Sequence, residues 1–101
     1  LFCFTKNEMR VSSLIMQGIC YRQLLQYPQA IKLLEEAAHF DPLSTDEQNA
    51  INYETALTHE QAGDLNPAKQ YYRKIVTQNT GYRDAKIRLE NLEALNPIQT
   101  N

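Results

Sequence analysis

Proton transfer, metal binding and nucleophilic attack call on His, Cys, Asp and Glu, and this 101-residue chain holds few of them in patterns that fit. His39 and His59 are isolated, neither stands in an H-E-x-x-H pair, and no third ligand has metal spacing. Cys3 and Cys20 form no C-x-x-C and belong to no Cys/His cluster. Cys20 lies inside a helical pattern and reads as a small buried hydrophobe. Glu35-Glu36, Asp46-Glu47 and Glu54 read as acids scattered over helix surfaces. Neighbours on a helix point about 100° apart, so such pairs do not converge on one bond as a general acid and base must. With only three glycines there is no loop to cradle a phosphate. The expectation is a chain that is not an enzyme, with no metal and no cofactor.

Overall charge narrows the partners. Ten Lys and Arg against twelve Asp and Glu give a net charge of −2, the wrong balance for neutralising nucleic-acid phosphates. Basic residues do gather late, at Lys69, Arg73, Lys74, Arg83, Lys86 and Arg88, but Asp84, Glu90 and Glu93 interrupt them, as on a solvated mixed face. The longest uncharged apolar-leaning run, VSSLIMQGICY between Arg10 and Arg22, is well short of the roughly 20 residues that span a bilayer. The chain opens on Leu rather than Met, as a fragment or a processed chain would. The compartment stays open, with a soluble, cytoplasmic setting favoured.

The elements that would carry these residues are all helices. Thr5-Lys-Asn-Glu8 has the form of a capping box, with Phe4 and Met9 as its staple, and opens a helix reaching about Leu25 with Val11, Leu14, Ile15 and Ile19 at helical spacing. Tyr27-Pro28 opens a second helix, which ends near Phe40, before Asp41-Pro42. Ser44 with Glu47, or Thr45 with Gln48, caps a third that runs to about Ala62 and stops at Gly63. Asn66-Pro67 begins a fourth, to about Gln78. The fifth covers Tyr82 to Leu95, with Ala85, Leu89 and Leu92 on one side. Only LFCF at the start hints weakly at a strand.

The halves repeat. Sliding the chain by 38 residues sets Gly18 on Ala56, Tyr21 on His59, Ala30 on Ala68, Leu34 on Tyr72 and Ala37 on Ile75. The first half carries Leu14, Gly18, Tyr21, Ala30, Leu34, Ala37 and Pro42; the second keeps Ala56, Gly63-Asp64, Ala68 and Tyr72. This pattern resembles the tetratricopeptide repeat, a 34-residue helix–turn–helix unit with W-x₂-L-G-x₂-Y, A-x₃-F and P at set places. The offset of 38 is that period plus four, as an insertion around Thr45 to Gln48 would make it. Gln17, Asn52, His59 and Thr80 depart from the motif, and His59 reads as a partly buried packing residue. The resemblance implies an all-α solenoid of antiparallel helix pairs: repeat one at about 11–44, repeat two at about 49–82 and a capping helix at about 82–95, all within one domain over 1–101. Small residues at Gly18 and Ala56 would face Ala30 and Ala68 and let the two backbones of each pair approach closely.

The resemblance also implies a concave face lined by the first helix of each unit. Its positions here are Ser12, Ile15, Ile19, Arg22 and Gln23, then Ala50, Tyr53, Leu57, Glu60 and Gln61, then Asp84, Ile87 and Asn91. The family's Lys/Asn/Arg clamp for chaperone C-terminal carboxylates is missing, since Ile15, Ile19, Tyr53 and Leu57 stand at the matching places. What remains is an apolar strip with a polar rim, suited to another protein's peptide or amphipathic helix, with Tyr53 as the expected anchor. Two alternatives stand beside this interaction module. The face could be covered by other repeats or a second copy, in a spacer or self-association unit. The segment could also be a regulatory region of a larger enzyme.

Overall fold

A computed structural model of the chain describes residues 6–95. Five helices follow one another: α1 (Lys6–Gln23), α2 (Tyr27–Ala38), α3 (Thr45–Ala62), α4 (Leu65–Gln78) and α5 (Ala85–Ala94). The described residues contain no strand. Helix α1 packs on α2, α3 on α4 and α5 on α4, while α2 and α1 both touch α3. The result is an elongated stack with extents of 54 × 29 × 20 Å. The expected cap at Thr5–Glu8 and the Phe4–Met9 staple rest on Thr5 and Phe4, which lie outside the described residues.

Local chemistry sets the helix ends. Ser44 caps α3: its hydroxyl accepts from the Glu47 N–H at 3.0 Å, and its own N–H donates to the Glu47 carboxylate at 2.8 Å. Two otherwise orphaned donors are thereby satisfied. At the other end Gly63 takes a left-handed conformation with φ 88°, and the Asp64 N–H donates back to the His59 carbonyl at 2.8 Å. Leu25 does the same work at the equivalent turn of the first pair, at φ 64°, with the Gln26 N–H donating to the Tyr21 carbonyl at 2.9 Å. A side chain with a Cβ is strained there by about 1 kcal/mol or more. Leu25→Gly is therefore expected to stabilise the fold by about 0.5 kcal/mol once the entropy of the unfolded glycine is counted, read as a small rise in melting temperature.

Each pair is closed by small residues. Ala30, Ala56 and Ala68 are fully buried. A Cβ on Gly18 would stand 2.9 Å from Leu34 Cγ and 3.5 Å from the Ala30 carbonyl oxygen, so α1 and α2 cross where only glycine fits. Among the described residues, most of the buried apolar side chains fall into two clusters, with Ala30 and Leu34 at the α1–α2 crossing outside both. Tyr53, Ala56, Ala68, Tyr72, Ile75, Ala85, Leu89 and Leu92 join α3, α4 and α5. Val11, Ala37 and Ile51 join α1, α2 and α3, with Leu14, Ile15, Phe40 and Leu43 against them.

Two expectations are corrected. Cys20 is exposed, because it lies on the side of α1 that faces away from α2 and α3. Helix α5 begins at Ala85 rather than Tyr82, since Arg83 takes a positive φ of 44° and residues 82–84 form a turn.

Candidate functional site

The thirteen residues expected on one face lie on α1, α3 and α5, or at Asp84 just before α5. Ser12, Gln23, Gln61, Ile87 and Asn91 are exposed, and Ile15, Ile19, Ala50, Leu57, Glu60 and Asp84 are half-buried. The remaining two, Arg22 and Tyr53, are buried at 9% and 8% exposure. Tyr53 was the expected anchor of a binding strip, and that expectation is corrected. Its ring meets the rings of Tyr72 and Tyr82 edge-on, at 6.1 Å in each case, and the Arg83 guanidinium lies 4.8 Å from its centroid. It belongs to the core cluster that joins α3, α4 and α5, with 8% of its surface exposed.

A polar network ties the three helices together. The Arg22 guanidinium on α1 donates to Glu54 on α3, in a pair whose side chains are 10% and 9% exposed. The other oxygen of Glu54 accepts from Arg83 at 3.4 Å. Arg83 in turn lies over both Tyr53 and Tyr82, a cation over two aromatic faces. The Tyr53 hydroxyl donates to Asp84 at 2.5 Å, and Arg88 donates to the second Asp84 oxygen at 2.9 Å. Glu60 closes the set, accepting from the Tyr72 hydroxyl at 2.7 Å and from Arg88 at 3.4 Å. None of these bonds involves Ser12, Gln23, Gln61 or Asn91.

Burial, and then the bond to Glu60, pushes the Tyr72 phenol well above its ordinary range. The Tyr53 hydroxyl holds the Asp84 carboxyl below the usual carboxylate range; partial burial opposes this and Arg88 adds to it. Asp84 therefore contributes stability above its unfolded pKa, near 4, and loses it as pH falls through the lower folded value. Tyr53→Phe is expected to cost about 1 kcal/mol at neutral pH, a modest figure because the Asp84 side chain is nearly half exposed. Melts across pH check the sign: the gap between variant and parent should narrow below about pH 4.

Sequence reasoning missed Glu54, Arg83 and Arg88. Glu54 is no surface acid. It sits on α3 three residues after Ile51 and four before Thr58, both buried, on a side of the helix that meets neighbours. That spacing was the available signal. The expected solvated mixed face near the end holds only in part: Arg73 pairs with Glu93 at 3.0 Å and Lys86 and Glu90 are exposed, but Lys69 is buried and Arg88 is drawn into the network with Asp84 and Glu60. His59 is half-buried and stacks on Tyr71 with ring centroids 5.9 Å apart. Among the described residues, no group of three His, Cys, Asp or Glu could hold a metal ion. No helix among them is long and apolar enough to cross a membrane.

Two helix pairs with the same small-residue crossing, 38 residues apart, are one structural unit used twice. A family model described as Tetratricopeptide repeat matches residues 12–44 and 50–79, the spans of those two pairs. The chain is a tetratricopeptide repeat protein. Searches of the curated proteins and of the solved structures each gave no match. Tetratricopeptide repeats typically serve as non-catalytic modules of protein–protein interaction. In repeat terms, α1 and α3 are the first helices of their units and α2 and α4 the second, while α5 lies beyond the matched residues.

Proposed function

We propose that this tetratricopeptide repeat segment is a non-catalytic interaction module that holds a peptide or amphipathic helix of another protein along α1, α3 and α5. One observation carries the reading. The charged side chains of that face are paired with oppositely charged neighbours, while the apolar ones are left partly uncovered. Arg22, Arg83 and Arg88 face Glu54, Asp84 and Glu60, so these three cations are already paired rather than open to a C-terminal carboxylate. Ile15, Ile19 and Leu57 are half-buried, and Ile87 is 61% exposed. A ligand that covers them gains by removing apolar area from water, at about 25 cal/mol per Å². The acidic balance of the chain disfavours nucleic acid as the occupant.

The buried Tyr53 moves the test to Ile87. A photo-crosslinking residue at Ile87 in the full-length protein, in its native cell, identifies the occupant, which is then titrated against variants. Ile87→Asp and Leu57→Asp are each expected to weaken binding by about tenfold or more. Ile87→Asp should leave the circular dichroism melt unchanged, since that side chain faces water. Equal affinity for parent and both variants overturns the reading.

A further inference from the structure

Helix α4 departs from the acidic balance of the chain. From Leu65 to Gln78 it carries Lys69, Arg73 and Lys74 and no Asp or Glu. Between α4 and α3 lies a groove of about 650 Å³. Gln48 and Asn52 of α3 form one wall, and Gln70, Lys74 and Gln78 of α4 form the other. No described carboxylate lines it. Gln48, Asn52 and Lys74 also line a smaller hollow of about 250 Å³, whose other walls are Ala38, Leu43 and Ile51. Ala38 ends α2 and Leu43 lies in the link to α3, so the joined groove sits between the two described units and not at either end of the stack. It is also apart from the candidate face. Gln48 stands nine positions before Leu57, about two and a half turns, on the opposite side of α3.

The polar groups of the groove are little used inside the fold. Among the described residues, Lys74 has no carboxylate within salt-bridge reach, and its ammonium lies 4.9 Å from the Tyr71 ring centroid. Arg73, beside it, is held by Glu93 at 3.0 Å. Gln48 reaches the Leu43 carbonyl at 3.4 Å, and no described protein group bonds the carboxamides of Asn52, Gln70 and Gln78. Both walls are rows at four-residue intervals, which stand about 6 Å apart along a helix axis. Alternate residues of an extended chain repeat at about 6.7 Å, close to that step. Each carboxamide offers both donors and an acceptor, as one peptide unit needs.

We propose that this groove is a second binding site, and that it takes an extended acidic peptide of another protein. A Glu or Asp side chain of the peptide pairs with Lys74, and the peptide backbone lies along the carboxamide rows. An apolar side chain two residues away enters the hollow against Leu43 and Ile51. Charge selects this occupant. One cation without a carboxylate suits a single acidic side chain, whereas a nucleic-acid backbone would need several such cations along the groove. Gln70, Lys74 and Gln78 are exposed, so their polar groups are within reach of a ligand. An ion pair at the surface adds little by itself, so the backbone bonds and the apolar residue must contribute. A short peptide should therefore bind weakly, with a dissociation constant of about 10–100 μM.

Fluorescence anisotropy with the full-length protein tests the proposal, using the labelled, end-blocked peptide Ser-Leu-Ser-Glu-Ser-Leu-Ser. Either chain direction presents Leu two residues from Glu, and blocked ends leave one carboxylate. Saturable binding is expected, weakened about tenfold by Lys74→Glu and about threefold by Asn52→Ala. The same peptide with Gln in place of Glu should bind several-fold more weakly than the parent peptide. Lys74 is exposed, so Lys74→Glu should keep the parent's circular dichroism melt. No saturable binding up to about 1 mM, as a segment of the same protein lying in the groove would cause, overturns the proposal. So does equal affinity for the Glu and Gln peptides, or for the parent protein and Lys74→Glu. Tighter binding of a labelled oligonucleotide than of the peptide, or loss of peptide binding on Ile87→Asp, which would place the peptide on the candidate face, overturns it as well.

Discussion

Glu54→Ala is expected to destabilise the protein by about 3–5 kcal/mol, the usual cost of breaking a buried ion pair from one side. The argument rests on the partner left behind. The Arg22 side chain is only 10% exposed, so it loses Glu54 without recovering water. Arg83 differs: at 50% exposure its guanidinium can return to solvent, and it adds little to the loss. The same physics predicts a rescue. Replacing both partners by apolar residues of similar size, Arg22→Met with Glu54→Leu, should recover most of the lost stability, because the desolvation of two charges disappears with them. Urea melts of the single and double variants measure both numbers. A cost below about 1 kcal/mol for Glu54→Ala would mean that the pair behaves as a surface salt bridge.

The second large effect belongs to Gly18. Alanine there would gain helix propensity of about 1 kcal/mol, but its Cβ would stand 2.9 Å from Leu34 Cγ and 3.1 Å from Leu34 Cδ2. Leu34 is 1% exposed and has nowhere to turn. Gly18→Leu adds three more carbons to that collision and forces α1 away from α2. The expected cost is about 3 kcal/mol, the upper end for overpacked cores, visible as a large drop in melting temperature. Combining it with Leu34→Ala should return part of the stability, since the two changes exchange volume across one contact. Were Gly18→Leu neutral, the close crossing of α1 and α2 could not be what holds the first pair.

Much of this architecture is legible in the residues because it is set locally. Ser44 and Glu47 lie one helical turn apart, so their reciprocal cap follows from sequence. Gly63 announces a left-handed turn, and Gly18, Ala30, Ala56 and Ala68 announce close helix crossings, since small residues serve little else at regular spacing. The candidate face was half legible. Ile15, Ile19, Leu57 and Ile87 keep exposed area as their repeat positions imply. Tyr53 and Arg22 share that register, yet they are buried by residues more than 25 positions later in the chain: Arg83 and Asp84 for Tyr53, Glu54 for Arg22. No periodicity within one helix encodes such neighbours. Cys20 failed for the mirror reason: its helical pattern predicts a buried side, and no element of the described fold comes to cover it.

The separation, among the described residues, of a core cluster across α3, α4 and α5 from one across α1, α2 and α3 has a thermodynamic consequence. They share no buried side chain, and the Arg22–Glu54 pair and the packing of α2 on α3 run between them. Structures divided this way open in sub-global steps, each with its own free energy. Amide protons of α1 and α2 can then exchange with solvent through openings that leave α3 and α4 protected. The first pair, whose α1 carries Ser12, Ile15, Ile19, Arg22 and Gln23 of the candidate face, is thus the segment whose foldedness a bound partner can most readily raise.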